Sequence, residues 1–202
     1  MKSAAIPLLL ATALCLIRCG RDDVPEQAST ELERPGSVVD SIFPMPVMIE
    51  RFQARMPRRP AALGGGSTSS RDSLVSHFVR AVEEGDAAAL RALRLDVAEF
   101  AFLYFPDSRL SRPPLQQPPE ISWLFVEQNG LKGETRVLDV YGGRPLHYHD
   151  YTCEAEPTIE GSLRLWDECR LLLGAGRTPV RLFGSIVERD GRFKFVSYAN
   201  DL

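Results

Sequence analysis

Apolar residues are spread along the chain in stretches of different period. Residues Ala4 to Ile17 are almost wholly apolar, broken only by Pro7 and Thr12. Fourteen residues match the apolar centre of an export signal but fall short of the roughly 20 that a membrane-spanning helix needs. Residues 20–36 are polar and charged, with Pro25 and Pro35, and cannot bury enough apolar surface to offset chain entropy. Met45, Met48, Ile49 and Phe52 then recur at i, i+3, i+4 and i+7, which predicts a short helix started by Pro44 and Pro46. Its other side carries Arg51, Arg55, Arg58 and Arg59. Gly64 to Ser70 has the composition of a flexible linker.

From Ser70 onward the period is helical. Ser70 or Asp72 caps a helix with the stripe Leu74, Val75, Phe78, Val79 and Val82, which Gly85 ends. Asp86 starts a second helix with Leu90 and Leu93, and Asp96 a third, Val97 to Tyr104, stopped by Pro106. Pro113, Pro114, Pro118 and Pro119 stiffen the next loop. Glu120 to Tyr141 reads as one helix or two, interrupted near Gly130 and Gly133. After Gly143 the pattern shifts to strands: Leu146–Ala155, Leu163–Leu173, Val180–Arg189 and Arg192–Ala199. The links are short, and Asp190-Gly191 is a strong hairpin signal. Helices first and strands last predict an α+β domain, with N-terminal helices packed on one face of a curved, four-stranded antiparallel meander. The expected organisation is a signal segment over 1–19, a tether and linker over 20–70 holding the short helix at about 45–55, and an α+β domain over 71–202.

Composition narrows the setting. Hydrophobic residues make up 44% of the 202, enough for a sizeable core. The net charge of −3 leaves no basic excess that would draw the chain to nucleic acid. Leu16-Ile17-Arg18-Cys19 resembles the lipobox of bacterial lipoproteins, with Arg18 in place of the usual small residue before the cysteine. The resemblance implies lipidation at Cys19, a membrane anchor, and a location on the periplasmic side of a bacterial membrane. Cleavage after Ala11-Thr12-Ala13 is the alternative.

Two further cysteines, Cys153 and Cys169, suit a disulfide in an exported protein. If the first hairpin turns at Gly161, facing residues have numbers adding to about 322, and these two meet that condition. His147, His149 and Asp150 are the densest group of chemistry-bearing side chains. Strict alternation puts both histidines on one face with Tyr151 and Cys153, and Asp167 on the facing strand. His147, His149 and Asp167 are therefore candidates for binding a ligand or metal. His149 with Asp150 or Asp167 is a candidate for proton transfer. Hydrogen-bonded structural histidines are the third reading. Asp167 also falls among Leu163, Leu165, Cys169 and Leu171, where a carboxylate is costly unless paired or displaced by a bulge.

Phe78 to Asp86, with Leu90 and Leu93 after it, and Phe183 to Phe195 resemble the opening and closing segments of the NTF2-like superfamily. That resemblance implies a cystatin-like cone with a pocket, a fold whose members include isomerases, cyclases and binding proteins. It carries over no catalytic residue, and no cofactor is indicated. The chain lacks G-x-S-x-G, H-E-x-x-H, the P-loop and the dinucleotide glycine pattern. The expected role is a binding module for a small ligand or protein partner. A pocket enzyme using His149, or an assembly subunit docking through Met45 to Phe52, are the alternatives.

Overall fold

The computed structural model describes residues 43–202. The signal segment, Cys19 and residues 20–42 of the expected tether lie outside the described residues. The described residues contain helices α1 (Met45–Gln53), α2 (Arg71–Glu84), α3 (Ala87–Leu93), α4 (Val97–Glu99, continued by a wider π turn over Phe100–Tyr104) and α5 (Pro119–Tyr141). Seven strands follow: β1 (Tyr148–Thr152), β2 (Thr158–Glu160), β3 (Leu163–Trp166), β4 (Arg170–Leu173), β5 (Thr178–Val180), β6 (Ile186–Arg189) and β7 (Arg192–Phe195).

The helix ends follow their capping chemistry. The Ser70 hydroxyl accepts the Ser73 amide at 3.1 Å, and Gly85 closes α2 in the left-handed conformation at φ 67°. Asp86 caps α3 through the Ala89 amide. Asp96 and Glu99 form a reciprocal capping box at the start of α4.

The fold is α+β, with an antiparallel sheet that departs from the expected four strands. The meander order survives, but the expected Leu163–Leu173 strand is split into β3 and β4, β2 forms in the expected link after Ala155, and the third expected strand gives way to β5 and β6. The pieces form one sheet ordered β1-β4-β5 and a second ordered β2-β3-β6-β7. Glu168, at φ 49°, breaks the expected Leu163–Leu173 strand, and the segment 181–185 breaks the next one. Period-2 alternation reports side-chain facing but does not mark a break that keeps an apolar run intact on both sides. The Asp190-Gly191 hairpin is present, with both residues at positive φ (53° and 72°), as a primed turn requires.

In the sheet β2-β3-β6-β7, strands β3, β6 and β7 pack on both faces, while Thr158 and Ile159 of the edge strand β2 are exposed. On one side Trp166, Ile186 and Phe195 join Leu74, Phe78 and Val82 of α2 and Leu90 of α3. On the other, Leu163, Leu165 and Val187 join Phe52, Leu63, Leu95, Phe100 and Phe105. Helical layers thus cover both faces where one was expected. The outer edge of β7 is capped by an isolated bridge to Thr68 and by the Leu95 amide donating to the Phe195 carbonyl at 2.9 Å.

Residues 43–70 are part of this compact unit, which spans Ile42–Leu202. Met45, Ile49 and Phe52 face the second core cluster. The helix face considered for partner docking is therefore used on the protein's own core.

Candidate interaction surface

The histidine constellation does not assemble. Tyr148 pairs with Leu173 and Asp150 with Leu172, so His149 is the extra residue of a β-bulge. The bulge shifts the alternation by one. Tyr148 and Tyr151 turn towards the core, while His147 and His149 are exposed. His147 precedes β1 with a left-handed backbone at φ 47°. Asp150 accepts the Tyr151 amide at 2.8 Å. Asp167 sits at the break between β3 and β4 and accepts the Ser185 hydroxyl from the matching break between β5 and β6. Its burial is thus resolved by pairing. Among the described residues, no three His, Cys, Asp or Glu side chains are placed to hold a metal ion.

The cysteines are joined. Cys153–Cys169 is a disulfide with Cα atoms 4.0 Å apart, one step beyond the Thr152–Arg170 pair of β1 and β4. It staples the two strands beside the point where the sheet breaks. A neighbouring cleft of about 290 Å³ holds Arg71, Asp72, Tyr151 and Cys153. Its groups satisfy one another. The Tyr151 hydroxyl donates to Asp72 at 2.7 Å, and burial, together with that bond, pushes the phenol above its ordinary range. The Arg71 guanidinium stacks 4.5 Å over Trp166. A second cleft of about 330 Å³ lies between α2 and α3, with His77, Arg80, Glu84 and Asp86 around an alanine-rich floor. Asp86 is committed to the α3 cap at 2.9 Å.

The helix α5 carries the feature that sequence reasoning missed. Pro118 and Pro119 start it, and Pro119, Ser122, Gly130, Gly133 and Val137 form its buried side. Gly130 and Gly133 do not interrupt the helix. They let it approach the rest of the domain. A Cβ at 133 would stand 1.7 Å from the Tyr198 carbonyl oxygen, and one at 130 would stand 2.8 Å from the Arg94 guanidinium. Glu127 and Glu134 also point inward. Glu127 pairs with buried Arg94 at 2.5 Å, and Glu134 chelates Arg91 at 2.8 and 3.0 Å.

The opposite side of α5 is apolar as well. Ile121, Leu124, Phe125 and Leu131 are 43, 47, 51 and 43% exposed. They lie at i, i+3, i+4 and i+10, about 180° around the helix from Pro119, Ser122, Gly130 and Gly133. With Glu127 and Glu134 paired to arginines, the exposed charges along the rest of α5 are Lys132, Arg136 and Asp139. Beside α5, Arg55, just past the end of α1, reaches Glu120 at 3.3 Å, and Arg51, one turn earlier, stacks 3.7 Å over exposed Phe43. In sequence the signal was present as an excess. Ile121, Trp123, Leu124, Phe125, Val126 and Leu131 are more apolar residues than one helix face can cover.

A scan against protein-family models and searches of curated proteins and of solved structures found no match to this chain.

Proposed function

We propose that this is an exported, lipid-anchored envelope protein whose α+β domain is a non-enzymatic binding module, and that it binds through the outer face of α5. The observation that carries this reading is the exposed apolar stripe Ile121, Leu124, Phe125 and Leu131 on a helix whose other side is already buried. A helix that is apolar on two opposite faces has one face unpartnered, and contiguous exposed apolar surface marks interaction sites. Export is supported by Lys2 with the apolar run after it, and by the Cys153–Cys169 disulfide, since such bonds persist in oxidising compartments. The helix, Gly85-Asp86 turn and second helix ahead of antiparallel strands are in keeping with the NTF2-like resemblance, in which binding roles are common.

A photo-crosslinking residue placed at Phe125 or Leu131 in cells that make the protein tests the surface. Adducts at both positions, absent from a control at the exposed Arg80 of α2, are expected. Adducts no stronger than the control would refute it. Loss of lipid labelling in Cys19→Ser tests the anchor separately.

A further inference from the structure

We propose that the occupant of the α5 outer face is an anionic phospholipid surface, on which the domain lies through Phe125 and its neighbours. This rests on the reading of that face as the docking surface. Three observations select a lipid surface. The first is size. Four half-exposed side chains offer roughly 300–400 Å² of apolar area, well below the roughly 800 Å² that each partner contributes to a stable protein interface. A bilayer sets no such threshold, because apolar side chains and cations add to its affinity one by one.

The second is charge. The acidic side chains of the central turns, Glu127 and Glu134, are turned inward and neutralised by Arg94 and Arg91. Lys132 and Arg136 remain exposed beside the stripe at one end, with Asp139 one turn further on, and Arg51 flanks it at the other, where Arg55 is paired with Glu120. Cations bordering an apolar helical stripe are the pattern of a helix lying in an anionic interface.

The third is the route of the chain. Phe43, exposed and stacked under Arg51, opens the described residues and leads into α1, which packs against the N-terminal half of α5. Cys19 lies 24 residues before Phe43, a distance the chain can span by at most about 80 Å. An anchor at Cys19 would therefore keep the domain within reach of the bilayer. The direct contact proposed here does not depend on the anchor.

The test is vesicle co-flotation of residues 42–202, the compact unit that holds both core clusters, so that no leader or lipid contributes. The probes are vesicles of one part phosphatidylglycerol to three parts phosphatidylethanolamine, and vesicles of phosphatidylcholine alone. Flotation with the anionic vesicles is expected, falling at least fivefold on phosphatidylcholine. It should also fall in about 1 M salt, where the Debye length is about 3 Å. Leu124→Ser/Phe125→Ser should lower partitioning about tenfold with an unchanged melting temperature, because both side chains are exposed. Lys132→Glu/Arg136→Glu should lower it at least tenfold, since each cation near such a surface is worth about fivefold. Failure of the parent domain to float, or equal flotation of both variants, would overturn the proposal. So would a solution dimer abolished by Leu124→Ser/Phe125→Ser, which would assign the stripe to a second copy. Crosslinks from Phe125 to a protein, with no flotation, would sink the lipid assignment and leave the binding-module reading standing.

Discussion

Gly133→Ala should destabilise this protein, although the same change in an isolated helix would stabilise it. Propensity favours alanine over glycine in a helix interior by about 1 kcal/mol. Here the new Cβ would lie 1.7 Å from the Tyr198 carbonyl oxygen, 2.5 Å from its carbonyl carbon and 2.8 Å from its Cβ. Ordinary carbon contacts begin near 3.5 Å, so the C-terminal segment or α5 must retreat by more than 1 Å or so. Tyr198 has no room to give. It is fully buried, its hydroxyl donates to the Leu90 carbonyl at 2.6 Å, and its ring lies 5.4 and 5.5 Å from Phe78 and Phe195. The Asn200 amide, which donates to the Gly133 carbonyl at 3.0 Å, would move with it. Overpacking of this kind costs about 1–3 kcal/mol, and disturbing the Tyr198 bond about 1–2 kcal/mol more. After the propensity gain the net loss is about 1–4 kcal/mol, or about 3–12 °C in melting temperature for a domain of this size. Urea and thermal unfolding measure it directly. Gly130→Ala is the companion, because its Cβ meets only the tip of the Arg94 side chain, and it should lose less. A Gly133→Ala variant as stable as the parent, or more so, would refute the close-approach account of α5.

Lys194 and Glu99 are each 2% exposed and joined at 2.9 Å, so Lys194→Met should cost about 3–5 kcal/mol in urea unfolding by stranding a buried carboxylate. Lys194→Met/Glu99→Gln should recover part of that loss, because the amide removes the stranded charge and keeps a side-chain oxygen that can still accept from the Gly64 or Asp96 amide. Cys153→Ser/Cys169→Ser opens a loop of sequence separation 16 and should lower stability by about 3 kcal/mol, read by chemical denaturation. Burial alone would raise the Asp107 carboxyl, but the Ser162 hydroxyl and the Arg189 guanidinium outweigh it and hold it below the usual range. A depressed folded-state pKa stabilises above the ordinary carboxylate value of about 4 and loses that contribution as pH falls. Asp107→Asn should therefore be less stable near neutrality by about 1–2 kcal/mol, with a gap that closes below about pH 4 in pH-dependent melting.

Local chemistry made much of this protein legible from its sequence. Ser70, Gly85, Asp86 and Asp96 declare their helix ends because each satisfies backbone groups only a few residues away. Asp190-Gly191 fixes its hairpin because few residues tolerate positive φ at both central positions. The pairing of Cys153 with Cys169 followed from hairpin register, which the turn position sets. The same reasoning placed Tyr151 on one face with His147 and His149, whereas Tyr151 turns to the core and both histidines are exposed. The bulge at His149 and the breaks at Glu168 and 181–185 leave the apolar pattern on either side of them unchanged, so alternation gives no sign of them. Gly130 and Gly133 looked like interruptions because propensity is local. They are contact points because Tyr198 and Arg94, distant in sequence, stand against them. The outer face of α5 shows the division most clearly. Composition along α5 already shows more apolar residues than one helix face can bury. Which of them are covered is set by the packing that turns Gly130, Gly133 and Glu134 inward and leaves Leu124 and Phe125 outside, because burial is a property of neighbours that the chain brings together from far apart.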